Sequence, residues 1–364
     1  MTRSSQILNP TPHDTQANPI RTWYCPCLNL TAWLIETGER EYCRQPFLFG
    51  AFLVAFRLEE DESVSKGLRR VVTRELRSAA KELKSAGPTE EAIHEARKSI
   101  KKVRAVLELM RPYEMGTQLD RKLLRRAGHL LSPLRDADAL FDSADIFCDE
   151  RRSKLSAQTC STIRDVLKQH KHRLCTAATL EQAGRRAAKT LDRLRWSAED
   201  WAWKRVGFPE FSRAVQRIYK KARRDMARAR VSKSARDFHQ WRKRVKTLWY
   251  ALRLVEARVP RRRSLADLER LEALLGEDHD LVTLRTHLDA SGRLRTSERE
   301  GIGALSDERH AELRGKALSL GDRVFKATPK TFVHELRQEW RNQPKESPRR
   351  TRQVRPERPT PRAA

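Results

Sequence analysis

The sequence predicts an all-α protein, and three observations carry that prediction. Between residues 57 and 340 the apolar positions recur every three to four residues, with few alternating β-branched runs. Gly87-Pro88, Gly116, Pro133, Gly207 with Pro209, Pro260, Gly276 and Pro329 punctuate this stretch into segments of helix length. The stretch also repeats itself: residues 93–109 read IHEARKSIKKVRAVLEL and residues 238–254 read FHQWRKRVKTLWYALRL. Each copy has a His, then Arg-Lys, then Lys a turn later, and a Leu-rich end. Downstream, LRDADAL at 134–140 matches DHDLVTL at 278–284, so Asp136 lies 42 residues after His94 and Asp280 lies 41 after His239.

Composition narrows the class. The 364 residues include 76 Lys and Arg against 48 Asp and Glu, a net charge of +28, with 38% hydrophobic residues. This is chain for two or three domains and apolar material for a core. The longest apolar candidate, Phe47 to Phe56, is shorter than the roughly 18 residues of a transmembrane helix. Six cysteines in this length exclude a disulfide-stapled miniprotein, and reduced thiols fit a cytoplasmic protein. What remains is a strongly basic helical protein whose partner is a polyanion.

Along the chain, residues 1–56 stand apart. Their charges cancel, they hold Pro10, Pro12 and Pro19, and they show no helical period, so they read as an unstructured or mis-assigned leader. The apolar part comes too late for a signal peptide. Val54-Ala55-Phe56-Arg57-Leu58 reads as a natural start, because an alternative bacterial start codon encodes Val. Cys25, Cys27 and Cys43 with His13 leave a metal site open as a second reading, on spacing too loose to carry it. Residues 57–205 and 206–341 hold the first and second helical repeats, and residues 57–340 carry +22. Thr328-Pro329 supplies an N-cap and first-turn pair for a last helix to about Trp340. Residues 342–364, with five prolines among arginines, cannot offset their ordering entropy and read as a disordered basic tail.

The repeated helix separates two faces. Ile93, Ala96, Ile100, Val103, Leu107 and Met110 form one buried stripe, and Phe238, Trp241, Val245, Leu248, Leu252 and Val255 form its counterpart. Beside the first stripe stand His94, Arg97, Lys101 and Arg104; beside the second stand His239, Arg242 and Lys246, with Trp249 where Arg104 was. Like charges at this spacing destabilise a helix by roughly 0.2–0.5 kcal/mol per pair. A solvated face would intersperse acids, so the stripe reads as a groove for an anionic chain. Arg70, Arg74, Arg77 and Lys81, then Arg213, Arg217, Arg224 and Arg228, repeat the pattern ahead of each His. Lys122, Arg125, Arg126 and His129 follow in the first copy. For His94 and His239 two readings stand: ligand donors within basic arcs, or packing residues bonded to a backbone carbonyl. Asp136 and Asp280 read as helix caps or as groups that orient an arginine.

These residues resemble the CHAD family, the conserved histidine α-helical domain, over roughly 57–340. The likeness rests on the Phe-Arg-Leu opening, both His-x-x-Arg helices, the Arg135-Asp136 and His279-Asp280 segments, and the closing TPKTFVHELR. The resemblance implies two four-helix bundles related by pseudo-twofold symmetry, with a basic groove between them. It implies binding of inorganic polyphosphate without catalysis, association with polyphosphate granules, and granule proteins or a triphosphate-handling tunnel enzyme as partners. Carried over residue by residue, the implied phosphate contacts are His94, Arg97, Lys101, Lys102 and Arg104, with His239, Arg242 and Lys246. Arg125, Arg126, Arg223 and Arg224 are implied supporting contacts. Thr247 and Trp249 depart from the basic pattern, which implies a weaker second half-site.

No catalytic arrangement emerges from the sequence, and no cofactor or metal is expected. There is no GxxxxGK[ST] loop, no HExxH and no Glu-x-Glu-x-Lys pattern of the tunnel triphosphatases. Cys148, Cys160 and Cys175 read as buried or idle thiols. The alternative function is nucleic-acid binding, since counterion release drives both kinds of binding. Nucleic-acid readers add stacking aromatics or a helix that reaches base edges. Here aromatics are 7% and Trp241 sits on the core face, so nucleic acid enters as a non-specific competitor.

Overall fold

A computed structural model describes residues 56–84 and 88–342. The readings of the leader and the tail, including the start at Val54, lie outside the described residues apart from Phe56 and Asn342. Ten α-helices and two short 3-10 turns, with no strand among the described residues, make up the chain. In order they are α1 (Val64–Lys84), α2 (Glu90–Leu109), α3 (Gln118–Glu150), α4 (Ala157–Leu174), α5 (Ala177–Glu199), α6 (Phe208–Ser232), α7 (Ala235–Leu254), α8 (Arg262–Ser291), α9 (Thr296–Val324) and α10 (Pro329–Asn342). The protein is all-α, as its periodicity predicts.

Local chemistry sets the starts of the helices that matter most. Thr89 caps α2 by accepting from the Ala92 amide at 3.2 Å, and Ser234 caps α7 by accepting from the Asp237 amide at 3.2 Å. Thr117 and Asp120 form a reciprocal capping box at the start of α3. Thr328 accepts from the Thr331 amide at 3.1 Å, so the predicted cap and Pro pair does open α10. Two predicted breaks do not occur. Pro133 lies inside α3 and Gly276 inside α8. Pro133 forgoes one backbone bond, but Leu131 and Leu134 on either side of it are buried and hold α3 through the defect.

In the first repeat α1 packs on α2 and α5, and α3 packs on α2, α4 and α5. In the second, α6, α7, α8 and α9 pack in chain order, with α10 against α6. Where the first repeat breaks after Leu174 into α4 and α5, the second runs on as the single helix α9. All twelve predicted stripe residues of α2 and α7 are buried. They belong to one continuous core that crosses from repeat to repeat. The Leu58 amide donates to the Leu254 carbonyl at 2.7 Å, and the Phe56 ring meets Tyr250 edge-on at 5.5 Å, which ties the first segment to α7. A second, smaller core joins the far ends of α3 and α8 to α4 and the start of α9; Cys148 and Cys160 lie in it. The α2–α7 and α3–α8 contacts bracket the space between the repeats.

Candidate functional site

The four helices α2, α3, α7 and α8 enclose a cavity of about 800 Å³. From α2 it receives His94, Arg97, Lys101 and Arg104, and from α7 it receives His239, Arg242 and Lys246. The helical spacing that sorted these residues from the apolar stripe therefore aims both basic arcs into one space. Arg125 joins them from α3.

Four other expected contacts lie elsewhere. Lys102 points to the opposite side of α2, where its Nζ donates to buried Glu75 at 3.0 and 3.2 Å beside the Phe56 ring. One residue of offset from Lys101 turns it by about 100°. Arg126 is exposed and does not line the cavity, for the same reason relative to Arg125. Arg223 and Arg224 are exposed on α6, which lies behind α7 against α10; Arg224 faces Asp225 at 3.7 Å. Trp249 packs against the core and under Arg253, so it does not stand in for Arg104 in the cavity.

Several lining residues escaped the sequence reading. Arg121 on α3, Arg111 after α2, and Lys243 and Arg244 on α7 also face the cavity. Arg121 was findable, since it stands one turn before Arg125. Lys243 falls at the edge of the α7 arc, and it faces the cavity because that arc is wide there, from His239 through Tyr250. Glu108 closes this end: it accepts from Arg244 Nη1 at 3.2 Å, while Arg217 donates to the Leu109 carbonyl at 2.6 Å. No pattern in the sequence links these three helices.

Both aspartates orient arginines. Arg97 Nη2 donates to Asp136 Oδ1 at 3.1 Å, and Arg242 Nη1 lies 3.9 Å from Asp280 Oδ1. The histidines follow a related logic. His94 Nδ1 accepts from Arg135 Nε at 2.8 Å, which leaves the ring proton on Nε2 as a donor. Burial, with Lys98 and Arg135 nearby, pushes its pKa down to about 4. The His239 ring lies against His279, tilted by 34° with centroids 4.0 Å apart, and burial with the His279 and Lys243 charges takes it down to about 4 as well. Each ring is therefore neutral at physiological pH, and each would gain by meeting an anion.

Lys101 keeps accessible surface because it faces the cavity, where cations of both repeats gather around it. Burial first, then the Lys246, Arg97 and Arg242 charges, push its pKa down to about 7. The Nε and Nη1 of Arg97 are buried without a partner. Such unmet donors cost free energy until something accepts from them. The cavity is thus a cluster of cations held closer than their repulsion favours, with two neutral imidazoles at its edge.

The cysteines fit their idle reading. Cys148 and Cys160 are buried, and burial with the neighbouring Cys160 pushes the Cys148 thiol up to about 12. No helix among the described residues is long and apolar enough to cross a membrane.

Three comparisons bear on this arrangement. The family model of the CHAD domain matches residues 70–289. The chain is similar in structure to the CHAD domain of the plant Ricinus communis, at 18% identity and a TM-score of 0.55, over 75% of this chain and 95% of that one. It also aligns with PptA from Streptomyces chartreusis at 13% identity and a TM-score of 0.49, over 77% of this chain and 100% of that one. No curated protein sequence matches it.

Proposed function

The chain belongs to the CHAD domain family, and from that membership and the cavity's charge we propose that it binds inorganic polyphosphate between its two repeats without turning it over. One observation carries the reading: Arg97, Lys101 and Arg104 of one repeat converge with Arg242 and Lys246 of the other on a single cavity. Arg offers a planar fork and Lys a point charge to phosphate oxygens. A neutral His94 adds an Nε2–H donor, and nearby phosphate would favour its charged form. The cavity acids Asp136 and Asp280 serve the arginines beside them, which supports a binding role over hydrolysis.

A narrow chain suits this space better than a duplex about 20 Å across. The large exposed hydrophobics among the described residues, Leu119, Trp196 and Val231, are not among the cavity-lining residues, and Tyr250, which is, lies buried, so the cavity offers little platform for base stacking. On this reading the protein docks on polyphosphate granules, near granule proteins or a triphosphate-handling tunnel enzyme.

The test is a competition assay. Labelled long-chain polyphosphate on the full chain is challenged with duplex DNA and RNA at matched phosphate concentration and physiological salt. The expected result is a preference of at least about tenfold, or about 1.4 kcal/mol. Displacement at parity would reduce the cavity to a generic polyanion surface.

A further inference from the structure

The two repeats bring unequal countercharge to the cations of the cavity. In the register set by Asp136 and Asp280, Gly128 on α3 is the counterpart of Glu272 on α8, and Arg125 is the counterpart of Glu269. Glu272 Oε1 accepts from both Arg242 Nε at 3.2 Å and Lys246 Nζ at 2.7 Å. Burial alone would push its pKa up, but Lys246 and Arg242 hold it below the usual carboxylate range. Gly276 adds to the hold on Arg242. A Cβ there would lie 3.0 Å from Arg242 Nη2, so a side chain at this position would push the guanidinium aside by a few tenths of an ångström.

The first repeat has no counterpart of Glu272. Gly128 offers no carboxylate, and although Arg97 Nη2 donates to Asp136 at 3.1 Å, its Nε and Nη1 stay buried without a partner. The charges acting most strongly on Lys101 are the cations Lys246, Arg97 and Arg242, ahead of Glu272. In the second repeat one carboxylate serves both cations; in the first, Asp136 reaches Arg97 and no ion pair among the described residues reaches Lys101.

We propose that the anion seat is one-sided: Arg97 and Lys101, in the repeat where Gly128 stands in the register position of Glu272, take the phosphates, while Glu272 is a resident counter-anion that withholds Arg242 and Lys246 from the ligand. The proposal rests on the polyphosphate reading above and names the residue that sets how that site is filled. Removing the counter-anion frees a second pair of cations for the ligand. Installing one at Gly128 shuts the first pair.

The experiment measures long-chain polyphosphate affinity of the full chain and five variants, with a thermal melt for each. Glu272→Gln is expected to tighten binding by about threefold or more, and Gly128→Glu to weaken it by about tenfold. Gly128→Ala is the control, since a Cβ there meets only Ile100 Cγ2 at an ordinary 3.6 Å, and it should leave affinity unchanged. Arg97→Ala should lose at least about threefold more affinity than Arg242→Ala. If Glu272→Gln lowers the melting temperature, the mirror substitution Gly128→Glu decides alone. Unchanged binding in Gly128→Glu, or equal losses in the two arginine variants, overturns the one-sided seat and leaves the polyphosphate reading standing. A wild-type protein that does not hold polyphosphate overturns both.

Discussion

Binding an anion in this cavity should draw protons from solution, and Lys101 sets how many. In the free protein burial and the Lys246, Arg97 and Arg242 charges lower its pKa from 10.5 to about 7. At pH 7 about half of the molecules then carry a neutral Lys101. A polyphosphate chain beside the ammonium supplies negative charge that outweighs burial and the neighbouring cations, so the bound form is charged. Uptake per bound site is therefore about half a proton at pH 7, about a tenth at pH 6 and about nine-tenths at pH 8. The sign follows: affinity falls as pH rises, by about tenfold or 1.4 kcal/mol between pH 6 and pH 8. His94 and His239, at about 4 when free, add uptake only below their ordinary value near 6.5. Isothermal titration calorimetry in two buffers of unlike ionisation enthalpy reads the proton count directly. Long chains keep the titrating terminal phosphates few. Lys101→Arg retains charge and loses the titration, so it should flatten the pH profile and bind more tightly than wild type at pH 8. Zero uptake at pH 7 with equal affinities at pH 6 and pH 8 would refute the reasoning, and an unaltered slope in Lys101→Arg would assign the proton to another group.

Two further outcomes separate fold from site. Lys102→Met should destabilise the protein by about 3 kcal/mol in a denaturant titration, because it strands buried Glu75 with only Ser99 as a partner at 2.7 Å. Polyphosphate affinity in that variant should stay at the wild-type value; a loss as large as that of Arg97→Ala would mean that the outer face of α2 also meets the ligand. Stability of the ligand-free protein should fall as pH drops from about 6.5 toward 4, since the unfolded chain protonates His94 and His239 while the folded cavity resists. A melting series on His94→Gln with His239→Gln should show a shallower acid limb than wild type, and identical limbs would mean that neither ring is held neutral.

How much of this was legible in the sequence follows from the range of each interaction. The all-α class, the twelve buried stripe positions and the seven basic-arc residues that line the cavity were all readable, because one helix's own periodicity fixes which residues share a face. The resemblance carried over Lys102 and Arg126 as contacts, but a single residue of offset matters: both adjoin lining residues and do not line the cavity. Arg223 and Arg224 went wrong for another reason, since the face of α6 that α7 covers is a tertiary fact. Pro133 and Gly276 looked like breaks because local propensity is all a sequence displays, whereas buried Leu131 and Leu134 carry α3 through its proline. The countercharges were the least visible. Glu272 stands 30 residues from Arg242 and Glu108 stands 136 from Arg244, and neither separation follows from any repeat. Departures at Thr247 and Trp249 implied a weaker second half-site from missing basic residues. The structure places the cations Arg242 and Lys246 of that half at the cavity and sets Glu272 against both of them. Charge counting along a chain finds where cations gather, but whether a cation is available depends on the carboxylate that folding brings to it. Around this cavity Asp136 takes Arg97 and Glu108 takes Arg244, while Glu272 takes two cations at once.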